Sequence, residues 1–233
     1  MIRCEPFTSD WLPENGPHAE YVAGVATRGL VSVFSSGAAH HFSQKQGVPS
    51  LRKPDDLDLL VGDDAFLEAF WTLAPERRKL IPVKSVRLTS ADGARLSLVA
   101  DEITGWPHAS GEGPEIQIMR PLGPVKCETR DGSVNFYDTR LDETLAAHNV
   151  NDGSLPYLHP KAGAMFYAMY QRPYPKLDAH NALILERAAA GMVSSYEVGE
   201  LMVSRGFGEP RVQRMLHQLG TVATVRSDIL IAA

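Results

Sequence analysis

The sequence predicts an α+β fold: a β-rich domain over residues 1–150 with one helical insertion, then a small domain over residues 178–233. Three observations carry this. Residues 84–90 and 94–100 alternate apolar and polar side chains on either side of Asp92-Gly93, a dipeptide suited to a hairpin turn. Residues 125–130 and 133–138 repeat the arrangement around Asp131-Gly132. From Asp178 onward the period changes, and short apolar stripes at helical spacing are bounded by capping residues and glycines.

The elements follow in chain order. Residues 21–27 (YVAGVAT) and 30–34 (LVSVF) read as strands joined by an Arg28-Gly29 turn, because β-branched residues crowd both runs. Pro54 opens an acidic turn, Asp55, Asp56 and Asp58, that Gly62 closes. Capping and solubility account for such a cluster, and a bound cation or basic partner is the functional alternative. Asp63 or Asp64 then caps a helix carrying Phe66, Leu67, Phe70, Trp71 and Leu73. Pro75 marks its end, and Arg77-Arg78-Lys79 complement the helix dipole. Residues 115–119 (EIQIM) add a strand, which with three hairpins makes about seven, enough for a mixed sheet, barrel or sandwich. Residues 104–114 form a Gly/Pro-rich loop, and residues 149–163 read as irregular chain around Asn-Asp-Gly. Residues 151–177 serve as linker. In them Phe166, Tyr167, Tyr170 and Tyr174 give an aromatic face to a short connecting helix that clamps the two domains together.

The C-terminal segment carries the most specific pattern. Asp178 caps a helix through Leu183, Leu185, Ala188 and Ala189 that Gly191 stops. Ser194-Ser-Tyr-Glu197 has the capping-box form and starts a helix with Val198, Leu201 and Met202 inward, stopped by Gly206. Pro210 opens a third helix with Val212, Met215, Leu216 and Leu219 on its apolar face. Residues 222–225 and 229–231 close the segment as a hairpin. Three short helices and a two-stranded wing resemble a winged helix-turn-helix domain. That resemblance implies an exposed recognition face on the third helix, here Arg211, Gln213, Arg214, His217 and Gln218.

Charge decides what that face meets. Residues 178–233 carry five arginines, no lysine and six acids, five minus six being a net charge of −1. Proteins that bind DNA need a positive excess to displace condensed counterions. The whole chain is also acidic, with a net charge of −5. A protein or peptide partner is therefore the expected occupant, and a ligand-sensing DNA-binding regulator the disfavoured alternative.

Evidence for catalysis is sparse. The phosphate-loop, dinucleotide, nucleophile-elbow and His-Glu-x-x-His motifs are all missing. None of the eight histidines forms a His-x-Asp pair, and His18-Ala19-Glu20 is the one His-x-Glu. His18, His40, His41 and His108 are the weak metal candidates, with His40-His41 expected just after a strand, where adjacent side chains diverge. No cofactor is expected. Cys127, inside a predicted strand beside Lys126, reads as a packing residue. No apolar run reaches the ~20 residues of a membrane-spanning helix. Residues 1–10 lack the basic and apolar regions of a signal peptide, so a cytoplasmic location is expected. The expected function is a non-catalytic accessory or adaptor subunit docking a protein or peptide. In size and in its winged-helix-like segment the chain resembles the accessory subunits of bacterial peptide-modifying iron enzymes, methanobactin-type partners among them, which implies a role in a peptide-modifying complex. An enzyme with its site in the β-rich domain is the other alternative.

Overall fold

Among the described residues the longest ribbon is the one that flanks Gly93. In the computed structural model, which describes residues 16–45, 54–89, 93–138, 140–152, 155–159, 161–163, 195–205 and 212–213, β3 (Lys79–Thr89) runs antiparallel to β4 (Arg95–Gly105). Val86 faces Leu98 and Leu88 faces Leu96, as the alternation requires. The other edge of β4 is shared. Arg95–Ser97 pairs with β6 (Val125–Glu128), and Ala100–Gly105 with β5 (Glu115–Pro121). β6 then pairs with β7 (Val134–Tyr137) around Gly132, whose φ of 86° suits glycine.

Beyond β5 the sheet continues through β2 (Asp56–Val61), β1 (Val31–Val33), β9 (Leu155–Leu158) and β8 (Asn149–Asp152), nine strands in all. β2 is parallel to β5, β1 is antiparallel to β2, and β9 is parallel to β1. The result is a mixed α/β body rich in sheet, extending to Leu158, past the boundary expected at residue 150.

Each face of the sheet has its own core. On one face Val33, Leu57, Leu59, Val61, Ile103, Ile116 and Ile118 pack with α1 (Pro17–Ala26), α2 (Ser35–Lys45) and α3 (Phe66–Trp71). On the other face Leu60, Leu96, Leu98, Cys127 and Leu158 pack with α4 (Leu141–His148) and α5 (Ser195–Ser204). Among the described residues, no helix is long and apolar enough to cross a membrane.

Four sequence expectations change. Residues 21–26 belong to α1 and Thr27 follows its end, so none of them is in a strand. Pro17 sits at the helix start, and the buried positions His18, Tyr21, Val22 and Val25 trace a helical stripe. Arg28-Gly29 follows that helix rather than turning a hairpin, with the Arg28 N–H bonded to the Val25 carbonyl at 2.9 Å. The acidic turn is strand β2, in which Leu57 and Leu59 are fully buried and the alternating Asp56 and Asp58 are not. Residues 149–152 and 155–158, read as irregular, are strands β8 and β9 paired antiparallel.

The helix predicted after Ser194 is α5. Met202 is fully buried and Leu201 packs against the same core. The first and third C-terminal helices, the wing and the aromatic connecting helix lie outside the described residues, except that Val212 is buried and Gln213 exposed.

Candidate functional site

Strand alternation builds the site. Leu57, Leu59 and Val61 of β2 turn to the face covered by α1–α3, so Asp56, Asp58 and Leu60 turn to the other. Leu60 is sealed into the second core, whereas Asp56 and Asp58 stay partly exposed. The strand thus passes from carboxylates at its start to hydrocarbon within four residues.

The neighbouring strand repeats the pattern. Ile116 and Ile118 of β5 are buried while Glu115 and Gln117 are partly exposed. Register pairs Asp56 with Glu115 and Asp58 with Gln117, which brings two carboxylates and their carboxylate and amide neighbours onto one patch. Gln117 Nε2 donates to Glu115 Oε2 at 3.5 Å. On β4, Thr104 faces Gln117, and Glu102 is held in an ion pair by Lys84.

The start of α2 lies at the end of β1, next to β2, while the helix itself packs on the opposite face. The Phe34 N–H donates to the Asp58 carbonyl at 3.1 Å, which fixes the end of β1 beside Asp58. Ser35 then adopts a left-handed φ of 59° and the chain turns directly into α2 through the buried Ser36 and Gly37. This helix begins with Ser-Ser-Gly, and no acid lies in its first turn. Unpaired backbone N–H groups and the helix dipole make such an end attractive to anions.

The four histidine candidates do not assemble. His40 and His41 lie on α2, not after a strand; His40 is buried, and His41 stacks on Tyr157 with ring centroids 3.8 Å apart. His18 lies on α1 and bonds through Nε2 to the Pro114 carbonyl at 2.7 Å. Its pKa is lowered by burial; the Pro114 carbonyl opposes that shift and nearby His108 adds to it. Gly113 shows how closely His18 fits: a Cβ there would stand 2.5 Å from His18 Cε1. Among the described residues no three His, Cys, Asp or Glu side chains are grouped to hold a metal by themselves. Cys127 is fully buried opposite Leu96 and Asn135, as a packing residue would be.

Of the expected docking residues, Gln213 is exposed on helical backbone, and Arg211, Arg214, His217 and Gln218 lie outside the described residues. Arg205, counted above among the cations of the C-terminal segment, is buried. Its Nη1 donates to Glu143 Oε2 and its Nη2 to Thr144 Oγ1, each at 3.1 Å, so it clasps α4.

Sequence reasoning put capping and solubility first for the carboxylate pair and a bound cation or basic partner second, and it took the strand for a turn. Its signal was present: Asp-Leu-Asp-Leu-Leu-Val alternates like a strand, and Ser-Ser-Gly follows a strand directly. No protein-family model, no curated protein and no solved structure matches the chain.

Proposed function

We propose that the β-rich body is an enzyme that binds a nucleoside triphosphate through a divalent cation and transfers its nucleotidyl group to an acceptor hydroxyl. One observation carries this reading. Strand β2, which carries the Asp56/Asp58 pair as a cation-binding feature, meets through the backbone Phe34–Asp58 hydrogen bond the end of β1 at which α2, an anion-binding feature, begins.

The donor set favours magnesium. This cation is held by one or two carboxylates plus substrate phosphates rather than by a protein cage. Two aspartates without a third grouped ligand therefore fit it, whereas zinc or iron would call for histidine or thiolate groups. A metal-bridged phosphate is polarised when bound, which is what transfer at phosphorus requires. The chain's own groups then have separable tasks. Asp56 and Asp58 would hold the cation, and the Ser35–Gly37 backbone would position phosphate oxygens. Glu115 and Gln117 border the acceptor side. In the reaction the acceptor oxygen bonds to the α-phosphorus as the bond to pyrophosphate breaks, and a carboxylate or water takes the hydroxyl proton. Transfer of the γ-phosphoryl group is the weaker variant, because the glycine-rich loop and lysine that cradle a γ-phosphate are missing from the sequence.

The test is calorimetric titration with ATP and GTP, with and without magnesium or manganese, alongside pyrophosphate release. Cation-dependent binding that weakens at least tenfold in both Asp56→Asn and Asp58→Asn is the expected result. Absence of nucleotide binding, or binding untouched by both substitutions, would overturn the reading.

A second reading keeps the adaptor role for the C-terminal segment. It is favoured by Tyr196 and Val203, exposed to 72% and 56% on α5. Recovery of the tagged protein from its host without a stoichiometric companion would sink it.

A further inference from the structure

β1 and β9 are adjacent and parallel, with Val33 beside Tyr157. Extending that register sets the exit of β1, at Phe34 and Ser35, beside the exit of β9, at Leu158 and His159. The two chains then leave on opposite faces. α2, following β1, packs Ala38 and Phe42 into the core of α1–α3. The segment following β9 packs Ala162 into the opposite core with Leu60 and Leu158. Where neighbouring parallel strands send their connections to opposite faces, a crevice opens outside their carboxyl ends, and open α/β sheets bind ligands there.

On the β9 side this crevice carries one lysine and two histidines. Lys161 Nζ lies 3.8 Å from Glu197 Oε1, and the Lys161 N–H donates to His159 Nδ1 at 3.1 Å. His148 stands close, its carbonyl accepting the His159 N–H at 2.8 Å. The carboxylates of β2 lie on the other side of β1. From β2 to β9 is two strand spacings, about 10 Å. A polyphosphate chain laid across the end of β1 would run from the carboxylates, past the start of α2, to Lys161.

We propose that Lys161, with His159 beside it, binds the terminal phosphates of the nucleotide. The proposal rests on the nucleotide reading above and deepens it by assigning the polyphosphate direction, from Asp58 toward β9. Lys161 and His159 would make the site select triphosphates over monophosphates.

The experiment measures affinity for magnesium ATP and magnesium AMP in the full chain. Lys161→Gln and Lys161→Met, which both keep the aliphatic stem, are expected to weaken ATP binding about tenfold or more, since a charge-assisted contact is lost. AMP binding should stay within twofold, and Lys161→Arg should retain ATP binding. Glu197→Gln separates ligand binding from a structural ion pair, because it removes the partner while leaving the lysine charged, and it should not weaken ATP binding. Equal loss for ATP and AMP, or the same loss in Glu197→Gln, would overturn the proposal and mark Lys161 as structural. Wild-type ATP binding unchanged in the lysine variants would overturn it while leaving the nucleotide reading intact. No ATP binding by the wild type would overturn both.

Discussion

Replacing Arg205 by alanine tests how the C-terminal segment is attached. Arg205 is 8% exposed and makes two hydrogen bonds at 3.1 Å, to Glu143 and to Thr144. The Glu143 carboxylate is 63% exposed, so water screens much of that attraction. Thr144 is fully buried, and its hydroxyl would lose a donor where water does not easily replace it. A buried polar group left without its partner costs about 1–3 kcal/mol, and the screened contact adds a few tenths to 1. The expected loss is about 1–4 kcal/mol. For a chain of this size that lowers Tm by roughly 2–16 °C. Urea denaturation followed by far-UV circular dichroism measures it, and Arg205→Met shows how much of the loss is packing of the stem. A change below about 0.5 kcal/mol, typical of an exposed surface substitution, would refute the clasp and return Arg205 to the pool of surface cations.

Two further stability predictions concern strain and pH. Val83 has a left-handed φ of 53°, is 67% exposed, and sits at the bulge where its N–H bonds to Asp101 Oδ1 at 3.0 Å. Relief of about 1–2 kcal/mol of left-handed strain outweighs glycine's entropy cost of 0.5–1, so Val83→Gly should raise stability by roughly 0.5–1 kcal/mol in a urea titration. A destabilised variant would show that the side chain has a role the backbone geometry does not reveal. Burial also lowers the pKa values of His18, His148 and His159, each from 6.5, with Lys161 adding to the shift at the latter two. The unfolded chain then takes up protons first on acidification. Stability from these groups is present above about pH 6.5 and is lost as pH falls through the lowered values. Urea midpoints should drop between pH 7.5 and 5.5, less steeply in His18→Gln, and a midpoint that rises on acidification would contradict the assignment.

How far the sequence revealed this structure depended on whether local pattern was enough to decide. The β3–β4 and β6–β7 ribbons were legible because an Asp-Gly dipeptide in the sequence lies between strands whose alternation agrees with it. α1 was misread because Tyr-Val-Ala-Gly-Val-Ala is equally apolar under either period, and only the burial of His18 beside Tyr21 and Val22 shows the helical stripe. β2 was misread because three aspartates within four residues resemble a turn. Its strand state is imposed by pairing with β1 and β5, whose partners stand 28 and 59 residues away at the Leu60–Ser32 and Asp58–Gln117 pairs. The candidate site was hidden for the same reason. Asp56 and Asp58 acquire meaning only beside the start of α2 and the exit of β9, and no local spacing announces that junction.

The charge of the protein gives the nucleotide reading a consequence that a simple anion pocket would not share. The chain carries a net charge of −5, and Asp56, Asp58 and Glu115 add local negative charge where phosphates are to be bound. A free triphosphate approaching this patch meets repulsion, which the start of α2 offsets only in part, since a helix end is worth about 0.3–1 kcal/mol at an exposed site. A divalent cation reverses the sign of the interaction, turning each aspartate from a repelling group into a ligand. Asp58→Asn should therefore have opposite effects under two conditions. With magnesium present it should weaken ATP binding, because a ligand is removed. With magnesium chelated it should strengthen the residual binding, because one repelling charge is gone. The second effect should also fade as salt rises, since screening acts on exposed repulsion over a Debye length of about 8 Å at physiological ionic strength. Titrations of wild type and Asp58→Asn in magnesium and in EDTA, each at two salt concentrations, measure the crossing. Weakening of the same size in both conditions would show that Asp58 supports the local backbone instead of holding a cation, and the nucleotide reading would lose the residue on which it most depends.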